Sequence, residues 1–284
     1  MLKNGLLYNS EAWHSVSKQE IISLEKIDES LLRFLLGSHA KVPLEILYLE
    51  SAAIPIKFVI SCRRLNFLQT IMKRTDEELT NRVFLAQIND PCPGDFGELI
   101  KEDFATIDVP FDLSFVENTA VGTYRKLVKT KVSEAAFKYL KNVQKTHSKA
   151  KDIEYERFEV QPYLKSNLFS NEESCLLFAL RSRTAESFKS NFRHLYGGKV
   201  DCNLQCWDQD EIPPEDSQQH LLCCPKVKVD SSNITCNIIT YEDIFGNVKR
   251  QKEAITLFTH LLEIKNKEIN KQSPPGEKLD LSTS

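Results

Sequence analysis

Several familiar chemistries are missing from this sequence. It has no apolar run near the ~20 residues that a membrane span requires, and its N-terminus lacks the basic-then-apolar pattern of a secretory leader. It has no G-x-S-x-G nucleophile elbow, no Walker loop and no dinucleotide fingerprint. Asp95-Phe96-Gly97 looks like a kinase metal-binding triplet, but no glycine-rich loop or His-Arg-Asp accompanies it, so it stands as chance. Two aspartates never stand side by side, and no internal repeat is evident. These absences make membrane insertion, kinase and hydrolase chemistry and secretion poor readings. The expectation is an intracellular protein of the nucleus or cytoplasm with its thiols reduced or metal-bound. The sequon Asn233-Ile234-Thr235 would then go unused.

What is present is ordinary in bulk and uneven in detail. The chain has 284 residues, 41% hydrophobic and 27% charged, which is enough for a sizeable core and more than the ~100–150 residues of one domain. Half of its eight cysteines fall in one window: Cys202 and Cys206, then after a polar loop His220, Cys223 and Cys224 before Pro225. Three thiols and an imidazole in two short pairs point to tetrahedral zinc. The first pair is one residue wider than C-x-x-C. Of the two adjacent cysteines Cys224 fits better, because its spacing from His220 gives the usual hairpin and Pro225 stiffens the exit. The expected cofactor is Zn2+ on Cys202, Cys206, His220 and Cys224.

The net charge is only −3, but the basic residues cluster. Arg125, Lys126, Lys129, Lys131, Lys138, Lys141, Lys145, Lys149 and Lys151 face a single acid, Glu134. A second run, Arg181, Arg183, Lys189, Arg193 and Lys199, leads into the cysteine window. A phosphate backbone feels local charge, since salt screens more distant charges within ~10 Å. RNA or DNA is therefore the expected partner, with Arg181, Arg183, Lys189 and Arg193 on phosphates and Phe192, Tyr196 and Trp207 available for stacking on bases. Arg181 and Arg183, two residues apart on a helix, diverge by about 200°, so unequal roles are expected. A solvated lysine face around a purely structural zinc site, serving a protein-interaction scaffold, is the competing reading.

The periodicity is helical nearly throughout. Ser17 and Glu20 form a capping box before Ile21, Leu24, Ile27, Leu31, Phe34 and Leu35, and Gly37 supplies a stop. Pro43 should start a short apolar segment that ends near Ser51, and Pro55 should open a longer helix carrying Ile56, Val59, Ile60, Phe67, Leu68 and Ile71. On the second of these Arg63 and Arg64 interrupt the stripe, so a guanidinium must meet an anion near the buried face, either Glu45 or Glu50 or a phosphate. Pro91 to Gly94 breaks the chain before a helix with Phe96, Ile100 and Phe104. Two separate helices are expected over 115–128 and 132–143. An extended segment covers 153–169, and further helices cover 171–183, 241–245 and 254–264. The tail from Lys271, with Pro274, Pro275 and Gly276, reads as disordered.

Several stretches, in order, resemble the reverse transcriptases of LINE-type (non-LTR) retrotransposons, in the part that follows the polymerase palm. Leu6-Leu7-Tyr8-Asn9-Ser10-Glu11-Ala12-Trp13 is similar to the family's Leu-Leu-Tyr-Gly-Ser-Glu-x-Trp, with Asn9 in place of the glycine. Leu47-Tyr48-Leu49-Glu50, Ile54-Pro55-Ile56 and Arg63-Arg64-Leu65 resemble the thumb-like block that follows. Leu180-Arg181-Ser182-Arg183 and Asn191-Phe192-Arg193 resemble the basic lead-in to its zinc knuckle. Gln219-His220-Leu221-Leu222-Cys223-Cys224-Pro225 resembles its Glu-His-Leu-Leu-x-Cys-Pro, which aligns Cys224 with the ligand.

The resemblance covers most of the chain to about Ile264 and implies a mainly α fold. A thumb-like helical array (1–90) and a basic helical region (91–152) would precede a CCHC zinc knuckle (153–240), a C-terminal helical unit (241–270) and a disordered tail. It also places the Tyr-x-Asp-Asp of the palm before Met1. Tyr241-Glu242-Asp243 is no substitute, because Ile244 stands where the second acid would be. The implied protein is a truncated copy or fragment that grips element RNA or target DNA, beside other retroelement proteins, without catalysing polymerisation. A relic without selected function fits the same pattern.

Overall fold

The computed structural model describes residues 5–13, 16–38, 42–75, 77–147, 153–185, 187–188, 191, 198, 200–207, 212–227 and 241–272. Among these the protein is mainly helical and contains no strand, only an isolated antiparallel bridge between Asp201 and Glu215. No described helix is long and apolar enough to cross a membrane. The chain divides into two compact units, Met1–Leu35 with Pro43–Gln161, and Leu36–Val42 with Pro162–Ser284.

The first unit contains α1 (Lys18–Leu36), α2 (Leu44–Ser51), α3 (Ile56–Met72), α4 (Leu79–Asn89), α5 (Phe96–Thr106), α6 (Leu113–Asn118) and α7 (Val121–Gln144). The capping box opens α1 as expected: the Ser17 hydroxyl accepts from the Glu20 backbone at 3.2 Å, and Glu20 accepts from the Ser17 backbone at 2.8 Å. The Asp95-Phe96-Gly97 triplet begins α5. Asp95 caps the helix by accepting from the Glu98 backbone at 2.8 Å, and Phe96 packs edge-on to Phe67 and Phe84. Gly97 lies so close to α4 that an added Cβ would come within 3.2 Å of the Gln87 carbonyl. Asn9 has φ 59°, the left-handed conformation that asparagine tolerates best after glycine.

Helix α3 lies at the centre of this unit. Its Phe58, Leu65, Leu68 and Ile71 join Phe84 of α4, Ile100 and Phe104 of α5, Val116 of α6 and Tyr124, Val128, Val132 and Ala136 of α7 in one core. Two elements differ from the sequence reading. Helix α7 runs unbroken over 24 residues where two helices were expected, since nothing from 129 to 131 caps or breaks a helix and the stripe Tyr124, Val128, Val132, Ala136, Leu140 passes straight through. Helix α4 had no forecast; only Asn81 and Phe84 of its 11 residues are buried, too few to register as a stripe.

The arginine doublet splits its roles. Arg63 donates to the Leu7 carbonyl and, at 3.4 Å, to Ser10, holding the segment before α1 beside α3. Arg64 points inward to Asp103 on α5, with Nε–Oδ2 at 2.6 Å and Nη2–Oδ1 at 2.7 Å. The expected partners Glu45 and Glu50 are not the ones used. Glu50 instead accepts from the Tyr155 hydroxyl at 2.7 Å, one of the bonds that fasten the irregular segment after α7. Gln144 to the Ile153 carbonyl (2.6 Å) and Lys141 to the Tyr155 carbonyl (3.1 Å) are others.

The second unit contains α8 (Pro162–Lys165), α9 (Asn171–Arg181), α10 (Gln218–Cys223) and α11 (Val248–Gln272), with a 3-10 turn over Tyr241–Phe245. Ser170 and Glu173 make a capping box at α9, and Lys252 of α11 reaches Glu173 at 2.6 Å. Helix α11 is longer than its apolar stripe (Ala254, Ile255, Phe258, Leu261, Leu262), because buried polar residues continue the same face at each end. Gln251 donates to the Ile244 carbonyl at 3.4 Å, and Lys265 pairs with Asp216 at 2.6 Å. The tail expected to be disordered lies beyond the described residues from 273 onward.

Breaking the Arg64–Asp103 pair from one side leaves a buried charge uncompensated, and such losses amount to about 3–5 kcal/mol. Asp103→Ala should destabilise the first unit by that amount in urea unfolding. The double change Arg64→Met with Asp103→Leu should recover most of it, and a double variant as unstable as the single would show that the pair is not the cause.

Candidate metal centre

The cysteine window folds around a short backbone frame. The Cys202 N–H donates to the Pro214 carbonyl at 2.8 Å, and the Asp216 N–H donates to the Val200 carbonyl at 2.9 Å. These bonds flank the Asp201–Glu215 bridge and hold the first cysteine arm beside the stretch that enters α10. The wider first pair is accommodated by a tight turn. Gln205 donates its N–H to the Cys202 carbonyl at 3.1 Å and takes φ 49°, so the extra residue curls back and returns Cys206 to its partner. Leu204, 1% exposed, anchors the turn from inside.

The second arm is a helix with its own cap. Ser217 accepts from the His220 backbone at 3.1 Å and starts α10, which ends at Cys223. Its last turn separates the two adjacent cysteines. Cys223 is exposed, with its thiol directed back at the carbonyls of Gln219 and His220, whereas Cys224 leaves the helix (ψ 120°) and turns inward to 3% exposure. The Val227 N–H closes the exit on the Cys224 carbonyl at 3.0 Å.

Ligand atoms of Cys202, Cys206, His220 and Cys224 all lie within 4.8 Å of one another, and Cys206 Sγ is 3.1 Å from His220 Nε2. Bonds of about 2.3 Å to sulfur and about 2.0 Å to nitrogen would draw such a set together only slightly. The electrostatics also call for a cation. Burial pushes the Cys202 thiol up and, with the neighbouring thiols, pushes Cys206 up to about 12. Three thiolates do not ionise in this space without a positive charge between them, and a bound metal supplies it. Burial also lowers His220, and Lys265 adds to the effect against the opposing field of Asp216, so the imidazole is neutral and its lone pair is free to ligate. Four protein ligands close a tetrahedron and leave no open position for substrate, the arrangement of a structural site.

No protein-family model, curated protein or solved structure matches the chain.

The proposed phosphate contacts do not form one surface among the described residues. Arg181 lies in the core at 3% exposure. Its guanidinium donates to the Ile244 carbonyl at 3.0 Å and rests 4.8 Å from the Phe245 ring centre and 5.6 Å from that of Tyr163. A side chain at that depth is out of reach of a nucleic-acid backbone. Helix α9 ends at Arg181, two residues earlier than expected, and Arg183 sits half-buried in the turn beyond it with φ 54°. Lys189 and Arg193 lie outside the described residues, as do Phe192, Tyr196 and the Asn233 sequon. Trp207 is half-buried beside Cys206. One contributor escaped sequence reading. Lys265, 41 residues past Cys224, pairs with Asp216 one residue before the α10 cap, with both side chains 3% exposed. Only its position on the buried face of α11 could have pointed to it.

Purified protein should bind one divalent metal per chain by elemental analysis. Cys224→Ser should abolish it and Cys223→Ser should leave it intact; loss of metal from the Cys223 variant would reverse the ligand assignment.

Proposed function

We propose that the protein is a zinc-stabilised nucleic-acid-binding module that takes no part in polymerisation chemistry, similar in role to the template-holding C-terminal region of LINE-type reverse transcriptases. The observation that carries this reading is the outer face of α7. Arg125, Lys126, Lys129 and Lys138 are exposed there, as is Lys145 just past its end, and no carboxylate among the described residues pairs with them. The single acid of the helix, Glu134, is already bonded to Lys131 at 2.9 Å. A row of cations with no internal partner on a 24-residue helix suits a polyanion, whose binding gains free energy by releasing condensed counterions.

The metal centre supports the same reading. A set of three thiolates and one imidazole is soft and tetrahedral, which favours zinc over harder cations. With all four positions filled by protein the ion would fix the arms of the knuckle and do no Lewis-acid work. Nucleotidyl transfer, by contrast, uses carboxylates that clamp two divalent ions, and no pair of adjacent aspartates occurs in the sequence. The module would therefore hold a strand, RNA or DNA, on which another active site acts.

Salt dependence separates this reading from a protein-interaction scaffold. Fluorescence anisotropy with single-stranded RNA should give an affinity that falls steeply with salt. The triple change Arg125→Ala, Lys126→Ala, Lys129→Ala should lower the slope of log K against log salt by about 0.7 per lost contact. An affinity indifferent to salt, or a triple variant with the parental slope, would favour the scaffold. Primer-extension assays with any divalent metal should show no incorporation above a mock purification.

A further inference from the structure

Within the first unit, α3, the end of α5 and the middle of α7 enclose a cleft of about 510 Å³, lined among others by Lys57, Asp108, Lys131, Glu134, Lys138 and Tyr139. Lys57 is the unusual member. It is half-buried, and its ammonium lies 3.2 Å from the centre of the Tyr139 ring and 5.1 Å from that of Phe58. No hydrogen-bond acceptor among the described residues meets it. Its place on the helix compounds the problem. Lys57 stands in the first turn of α3, where aligned peptide dipoles put positive charge; that turn holds no acid, and the N-cap residue, Pro55, offers no side-chain cap. Burial accordingly lowers the Lys57 pKa, and the field of Glu25 opposes this only in part.

A desolvated cation at the positive end of a helix is costly unless something anionic joins it. The attraction of the ring offsets part of that cost. Of the other cations in the cleft, Lys131 is taken by Glu134, while Lys138 is exposed and unpaired among the described residues. Lys57 and Lys138 thus line one space from two helices, with Asp108 and the Lys131-bound Glu134 on the same wall. We propose that this cleft is a phosphate subsite, which takes one phosphate group of a nucleic-acid strand between Lys57 and Lys138. The choice of a strand as the source of the phosphate rests on the function proposed above, whereas the subsite itself rests on the local geometry.

The test compares the full chain with Lys57→Met, which keeps an apolar stem on Tyr139 and removes the charge, and with Lys57→Arg, which keeps the charge. Lys267→Met on the exposed face of α11 serves as the control. Binding of single-stranded RNA is measured by anisotropy across a salt series, and thermal unfolding is followed with and without inorganic phosphate. Lys57→Met should weaken RNA binding about three- to tenfold, the range for one charge-assisted contact, and lower the salt slope by about 0.7. Without any anion it should unfold at a higher temperature than the parent, because an unpaired cation has gone. Lys57→Arg and Lys267→Met should retain parental binding. A Lys57→Met variant with parental affinity and slope, or one that is simply less stable, overturns the subsite even if the parent binds RNA well. If the parent binds no RNA, yet inorganic phosphate raises its unfolding temperature and not that of Lys57→Met, the subsite stands and the nucleic-acid function falls.

Discussion

The bidentate contact between Arg64 and Asp103 is the constraint on which the first unit turns. A guanidinium and a carboxylate buried to this degree are tolerable only in register with each other, so the pair fixes both the rotation of α3 about its axis and its height against α5. Once α3 is fixed, its neighbouring arginine necessarily faces the other way. Arg63 then meets the backbone of the segment before α1, and Leu65 and Leu68 join the inward stripe of α7 in the core. The pair contributes little net stability compared with an apolar substitute; it excludes other registers of helices whose greasy faces would otherwise slide.

The second unit applies the same rule with different partners. Lys265 and Asp216 form a fully enclosed pair between the long terminal helix and the residue that leads into the α10 cap, so the second ligand arm is positioned from a distant part of the sequence. Arg181 is satisfied differently, by a carbonyl and the faces of two rings. The donor atoms of Cys202, Cys206, His220 and Cys224, drawn from two short arms, lie within 4.8 Å of one another.

Against that background the unsatisfied groups gain meaning. Interior charges elsewhere in the described structure find partners, whereas Lys57 meets the rings of Tyr139 and Phe58 and no hydrogen-bond acceptor among the described residues.

The candidate metal cluster was legible in the sequence because donors at short spacings are a local code, and the geometry groups Cys224, not Cys223, with Cys202, Cys206 and His220. Helix type and approximate position were legible for the same reason, since an apolar stripe and a Ser-x-x-Glu cap are local signals. What the tertiary structure alone decided is the pairing of polar residues far apart in the chain. Nothing near Arg64 names Asp103 as its partner, and Glu45 and Glu50 were closer candidates. Nothing near Arg181 shows that its helix face is the buried one, so a basic residue in a basic run read as a surface contact. The continuity of α7 likewise depended on a core that receives one stripe along its whole length. Local chemistry is written in spacing, but the destination of a buried charge depends on which helices pack together, and spacing carries no record of that.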